Sequence, residues 1–215
     1  ADRLVRVTDL ILREAALGPV AVVVSAMGDS TDWLIDAAQA AARGDSLAAD
    51  TQQDRLASLA IDTGLGALRE LQSRRPDDPD ADAANTPDIP AHVAALLALL
   101  RQCTPQTMDL VLSFGERLSA SILAMLLPVV DQPAVYVDAR DWLVSDDRFG
   151  AALVDLAATQ ARLDALRPTW QDKIAIHTGF LAATPDGRST TLGRNGSDYT
   201  ATLLAGALAA AEVQI

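Results

Sequence analysis

The run "VAVVV" at residues 20–24, preceded by Gly18-Pro19 and followed shortly by Gly28-Asp29, constrains this chain more than any other stretch. A continuous apolar segment of this length between turn signals reads as a strand buried on both faces of a parallel sheet. Before it, "DRLVRVTDLILREAAL" carries Leu4, Val5, Val7, Leu10, Ile11 and Leu12 at spacings that suit an amphipathic helix, which Gly18-Pro19 stops. After it, a helix is expected to begin around Ser30 to Trp33 and run to Arg43. Helix, strand, helix in that order predicts an α/β fold.

From Ser46 to Gln102 the pattern is helical only, broken by "SRRPDDPDADAANTPDIP", where Pro76, Pro79, Pro87 and Pro90 with a cluster of aspartates make a solvated loop. The span 46–105 reads as a helical insertion within one domain covering 1–215. The α/β character returns with a helix over "MDLVLSFGERLSASILAMLL", whose first residues could instead be a short strand. A strand at "AVYVDA", a helix from Phe149 to Leu166, a strand at "KIAIHTGF" and a last helix from Ser197 follow. The final "VQI" looks like the beginning of a strand.

Composition excludes several functions. With 215 residues, half of them hydrophobic, the chain can bury a sizeable core without staples. A formal net charge of −12 opposes long-range attraction to nucleic acid or anionic lipid, so any anion must be gripped locally. One cysteine, Cys103, rules out an internal disulfide framework and fits a reducing, cytoplasmic setting. No leader pattern opens the chain, and no uninterrupted apolar run is long enough to span a bilayer; the expectation is a soluble protein without membrane or nucleic-acid partners.

Four clusters could carry chemistry, and each has a plain structural alternative. In "SAMGDST" (25–31), Gly28, Asp29 and Ser30 at a strand-to-helix turn offer N–H and O–H donors to an anion, or merely cap a helix with Asp29 or Ser30. In "SFGERLSA" (113–120), Glu116 and Arg117 interrupt an apolar helix: either a structural ion pair or a snorkelling arginine, or a carboxylate projecting into a cleft to bind an ammonium group. "HTGFLA" places His177, Thr178, Gly179 and Phe180 at the carboxyl end of a strand, where open α/β sheets put their ligands. There Gly179 would let a ligand approach the backbone and Phe180 could wall a pocket. His177 has no second histidine near it in sequence and reads as structural or exposed rather than catalytic; His92 lies in the insertion, and no metal site is expected. In "LGRNGSDYT" (192–200), Gly193 and Gly196 free the backbone, and Arg194 can pair with a carboxylate. Ser197, Asp198 and a helix N-terminus face the same spot, unless the Arg and Asp serve only as capping.

Taken together and in this order, "VVVSAMGDSTDWLI", "SFGERLSASILA", "HTGFLA" and "TTLGRNGSDYTATLLAGAL" resemble the motifs of the aspartate kinases, within the amino-acid-kinase superfamily. The similarity spans nearly the whole chain, and the "LGRNGSD" form is its most specific part. It looks closest to the kinase portion of bifunctional fusions with homoserine dehydrogenase or diaminopimelate decarboxylase. The resemblance implies a three-layer αβα sandwich with a mainly parallel central sheet and a helical insertion. The implied activity is transfer of the ATP γ-phosphoryl group, with Mg²⁺, to the side-chain carboxylate of L-aspartate on the route to lysine, threonine and methionine. It also implies roles. Arg194 would hold a substrate carboxylate and Glu116 the α-amino group; Ser25, Phe180 and Ser197 would line the aspartate pocket. Asp198 would organise the transfer site, and Gly28, Asp29, Ser30, Gly193 and Gly196 would meet the nucleotide. Family members are commonly homo-oligomers.

A carboxylate nucleophile is already ionised at neutral pH, so positioning and charge neutralisation would suffice without a general base. The family's Lys-Phe-Gly-Gly-Thr-Ser loop and Thr-Asp-Val-Asp-Gly segment have no counterpart among these residues, and the only lysine, Lys173, opens a strand. The chain is therefore expected to be incomplete at both ends relative to the family. The alternative is an aspartate-kinase-like assembly or ligand-sensing module without catalysis.

Overall fold

The computed structural model describes residues 1–75, 86–100 and 108–215. Pro76, Pro79, Asp77, Asp78, Asp80, Asp82 and Cys103 lie outside the described residues, whereas Pro87, Asp88 and Pro90 lie within them. The chain opens with α1 (Asp2–Ala15), whose buried Val5, Thr8 and Ile11 form one stripe, and passes to β1 (Ala21–Val24). Then come α2 (Ser30–Ala42), α3 (Ser46–Ser73), α4 (Ile89–Leu100) and α5 (Met108–Leu126). The second half runs β2 (Ala134–Val137), α6 (Leu156–Leu166), β3 (Ile174–Thr178), β4 (Leu181–Ala183), β5 (Ser189–Thr191) and α7 (Gly196–Leu208).

Strands β1, β3 and β2 form a parallel sheet in that order, with Val24 beside Thr178 and Val137 beside His177. The pleat sorts side chains between two cores. Val22, Val24, Ile174, Ile176, Ala134 and Tyr136 pack with α1 and α5 on one face. Val23, Val135, Val137 and Ala175 pack with Leu163 of α6 and Leu204 of α7 on the other. The result is the expected α/β/α layering. A third core joins α2, α3, α4 and α5 through Leu34, Leu56, Leu71, Val93, Phe114 and Ile122, so the helices of the 46–105 span share their interior with the rest of the domain.

Several local expectations change. The run 20–24 forms a strand, but at the sheet edge: Ala21 is exposed and the three valines are only half-buried, while β3 is buried along its whole length. An apolar run announces a strand, and only pairing decides which strand is flanked on both sides. The helix expected from Phe149 begins at Leu156. Asp155 caps it by accepting the Ala158 N–H at 3.0 Å, and Asp146 takes the N–H groups of Arg148 and Leu153 (3.2 and 2.9 Å), holding the preceding residues in a turn. Residues 108–112 are helical rather than extended. The hairpin β4–β5 carries no strong sequence signal, and 213–215 form no strand. Met108–Val130 is long and apolar enough to cross a membrane by length and composition, although Asp109, Glu116 and Arg117 interrupt it, and 72% of the apolar window is buried inside the protein. It is the central helix of the fold.

Candidate active site

The carboxyl ends of β1 and β3 bring the sequence clusters together. The parallel ladder ends with Val24 beside Thr178, so Ser25 and Gly179 leave the sheet together, and the Gly179 N–H donates to the Val24 carbonyl at 2.8 Å. From the helical side, α5 meets the same loop at Gly115, where a Cβ would lie 2.8 Å from that of Ala26. One residue on, the Ala26 N–H donates to Glu116 Oε1 at 3.3 Å. Glu116 is 3% exposed, its Oε2 has no hydrogen-bond partner, and burial raises its pKa to about 7 despite that bond. The ion pair with Arg117 does not form: Arg117 turns away, its guanidinium stacking on the Phe114 ring at 4.4 Å. A buried carboxylate with one oxygen unsatisfied is a group built to receive a cation or a donor.

On the end of β3 itself packs α7. A Cβ on Gly179 would come within 2.5 Å of Ser197 Oγ and 2.9 Å of its Cα, and one on Gly196 within 2.6 Å of Phe180 Cδ2. Gly179 thus does not open the backbone to a ligand, as the sequence suggested; it lets the N-terminus of α7 pack on the strand end. Phe180 sits in the left-handed region (φ 65°), a strained conformation for an aromatic residue, and Asn195 does the same (φ 58°) opposite it. Phe180 is held from both ends. Its N–H donates to Thr200 Oγ1 at 3.1 Å, and its carbonyl accepts the Leu192 N–H at 2.9 Å. Thr200, which the sequence reading passed over, is fully buried and also donates to the Gly196 carbonyl.

Gly193 (φ 76°) turns the chain from β5 into this loop against the carbonyl of Gly150. Asp109, another residue the sequence did not single out, ties the same region to α5: one buried carboxylate oxygen accepts the N–H groups of Gly150 and Thr191, each at 2.8 Å. Arg194 and Asp198 are exposed at the rim, and neither forms an ion pair among the described residues. Asn195 caps α7 without a side-chain hydrogen bond, so capping does not account for the charges beside it.

The expected donor role of Ser30 fails on geometry. Ser30 is buried and its hydroxyl donates to the Met27 carbonyl, so it offers nothing to an anion. Gly28 (φ 53°) and Asp29 remain exposed in the turn, and Asp29 makes no side-chain cap. His177 is enclosed, set edge-on between Trp142 and Trp170 at 5.7 and 5.0 Å between ring centres. Burial lowers its pKa to about 3, which leaves a neutral packing residue. Among the described residues no three His, Cys, Asp or Glu side chains gather as metal ligands.

The sequence is 42% identical over 114 residues to the lysine-sensitive aspartokinase 3 of Escherichia coli K12, covering 52% of this chain and 25% of that one. It is 32% identical over 224 residues to the chloroplastic aspartokinase 1 of Arabidopsis thaliana, covering all of this chain and 37% of the relative. The fold superposes on the crystal structure of E. coli aspartokinase III in complex with aspartate and ADP with a TM-score of 0.75 at 28% identity, over 98% of this chain and 44% of that one. The chain thus spans less than half the length of these relatives. The model of the amino acid kinase family matches residues 1–215 throughout, and with its parallel sheet between helical layers the chain belongs to the amino acid kinase family.

Proposed function

We propose that this chain forms the aspartate-holding part of an aspartate kinase, which transfers the γ-phosphoryl group of ATP to the side-chain carboxylate of L-aspartate. The observation that carries the reading is Glu116: a buried carboxylate, half unsatisfied, at the loop where β1 ends and beside the strand end on which α7 packs. An α-ammonium group would supply the missing partner and hold Glu116 ionised. Arg194 at the rim would take a substrate carboxylate in a bidentate pair. Ser25, Ser197 and the fixed Phe180 ring would line the space between.

The acceptor carboxylate attacks without losing a proton, so these residues have only to align it and offset its charge. Asp198, at the first turn of α7, would orient cationic groups near the transferred phosphoryl. The turn at Gly28 and Asp29, with the loop at Gly193 and Gly196, would approach the nucleotide. Mg²⁺, a cytoplasmic setting and assembly into homo-oligomers belong to the same reading.

The test has two arms. L-Aspartate binding to the chain is measured by calorimetry, with succinate, which lacks the amino group, as the control. ATP-dependent aspartyl-hydroxamate formation is measured on the protein encoded by the complete reading frame. Aspartate binding well above succinate, together with product, supports the kinase. Binding without product from the complete protein would favour a ligand-sensing module, and absence of binding would remove the assignment.

A further inference from the structure

On the side of α5 away from Ala26, a cavity of about 590 Å³ lies between α4, α5 and the edge strand β2, lined by His92, Leu96, Arg117, Ser121, Met125 and Tyr136 among others. That volume is ordinary for a small-molecule site. Its charged wall is Arg117, whose guanidinium lies over the Phe114 ring at 4.4 Å and makes no side-chain hydrogen bond among the described residues. The side chain is 16% exposed, its Nε is buried without a hydrogen-bond partner, and its carboxylate neighbour, Asp138 Oδ2, stands 3.9 Å away, beyond hydrogen-bond reach.

Asp138 has nothing left to give it. Arg140 donates to both of its oxygens through Nη2 and Nε (2.6 and 2.8 Å) and through its backbone N–H (3.1 Å), and the Tyr136 hydroxyl adds a fourth bond at 3.1 Å. Arg140, which Asp141 also offsets, thus saturates Asp138, and Arg117 is left beside the cavity without a hydrogen-bonding counter-ion. The field of Arg117 reaches the other polar walls: after burial, it is the second cause holding the His92 imidazole below its usual pKa.

The remaining polar groups are spent on the protein. Ser121 Oγ donates to the Arg117 carbonyl at 2.6 Å, so the 2.7 Å contact with His92 requires His92 Nε2 to be the donor. What faces the cavity is one cationic fork among Leu96, Ala124, Met125, Ala134 and Val135. A phosphate or a dicarboxylate would bring more charge than one fork can offset, and a neutral apolar molecule would leave the guanidinium unpaired.

We propose that this cavity is a second binding site, taking a small aliphatic monocarboxylate whose carboxylate pairs with Arg117 and whose hydrocarbon body lies on the apolar walls. The site is separate from the cleft that Glu116 faces and does not depend on the kinase reading.

The probe is pentanoate, titrated into the ¹⁵N-arginine-labelled chain while the Arg117 Nε–H resonance, assigned by its loss in Arg117→Lys, is followed. A saturable shift is expected, with pentanamide and inorganic phosphate at least tenfold weaker. Arg194→Ala, which disables the proposed aspartate cleft, should leave the pentanoate titration unchanged. An unmoved Arg117 resonance, or equal response to pentanamide or to phosphate, would overturn the proposal; if Arg117→Lys does not fold, the resonance is assigned in the wild type by through-bond correlation from the Arg117 backbone, and the same comparison decides.

Discussion

Gly179 and Ser197 are in such close register that a single methyl group on the glycine would sit 2.6 Å from the serine Cβ. The contact is between the end of β3 and the first turn of α7, and both belong to relatively rigid backbone. Gly179→Ala is therefore expected to push α7 off the sheet end, destabilising the fold by about 1–3 kcal/mol. Aspartate affinity should fall with it. A urea midpoint and a calorimetric titration that both match the wild type would show that α7 yields without cost.

Arg194 is exposed and free of ion pairs among the described residues, so Arg194→Ala should change stability by no more than about 0.5 kcal/mol. Loss of a charged hydrogen-bonding pair with the substrate should weaken aspartate binding by roughly 10- to 100-fold. Nucleotide affinity of the complete protein should change far less. Equal losses for both ligands would take away the substrate-carboxylate role.

The pH dependence follows from Glu116, whose pKa rises from 4.5 to about 7 in the folded chain. Below pH 4.5 the residue is protonated in both folded and unfolded states. Between about 4.5 and 7 the unfolded chain has released this proton and the folded chain still holds it, so the Glu116 contribution to stability is lost as pH rises and levels off above about 7. The full difference is roughly 3 kcal/mol at most. Glu116→Gln should accordingly flatten the decline, gaining more relative to wild type at pH 8 than at pH 5. Wild-type aspartate affinity should move the other way, rising through about pH 7 as the carboxylate ionises, and the variant should lose both the affinity and its pH dependence. A Gln variant that unfolds, or whose affinity equals the wild type, would contradict the ammonium role.

Thr200→Val keeps the shape of the side chain and removes the oxygen that accepts the Phe180 N–H. With its amide unsatisfied and its backbone in the left-handed region, Phe180 should relax, at a cost of about 1–2 kcal/mol. Hydrogen exchange at the Phe180 amide reads this directly. Protection equal to wild type would mean that Gly196 and Leu192 hold the ring by themselves.

The sequence by itself determined the elements with a local cause. Apolar runs between turn signals produced β1, β2 and β3, Gly18-Pro19 ended α1, and the glycine-bearing stretches after β1 and β3 and before α7 announced a site. The charged residues of that site were legible for the same reason: Glu116 breaks an apolar helix, and Arg194 and Asp198 flank a helix start. Tertiary structure decided what depends on partners distant in sequence. Which strand is central rests on pairing, so β3 rather than β1 is the one buried on both faces. Gly179 turned out to admit a helix rather than a ligand, Ser30 to spend its hydroxyl on Met27, and Thr200 and Asp109 to hold the site from positions without a local signal. The ion pair that is one reading of adjacent Glu116 and Arg117 does not form because successive helical residues project about 100° apart. One consequently faces the β1 loop and the other the cavity beside β2, a separation that exists only once the helix is packed on the sheet.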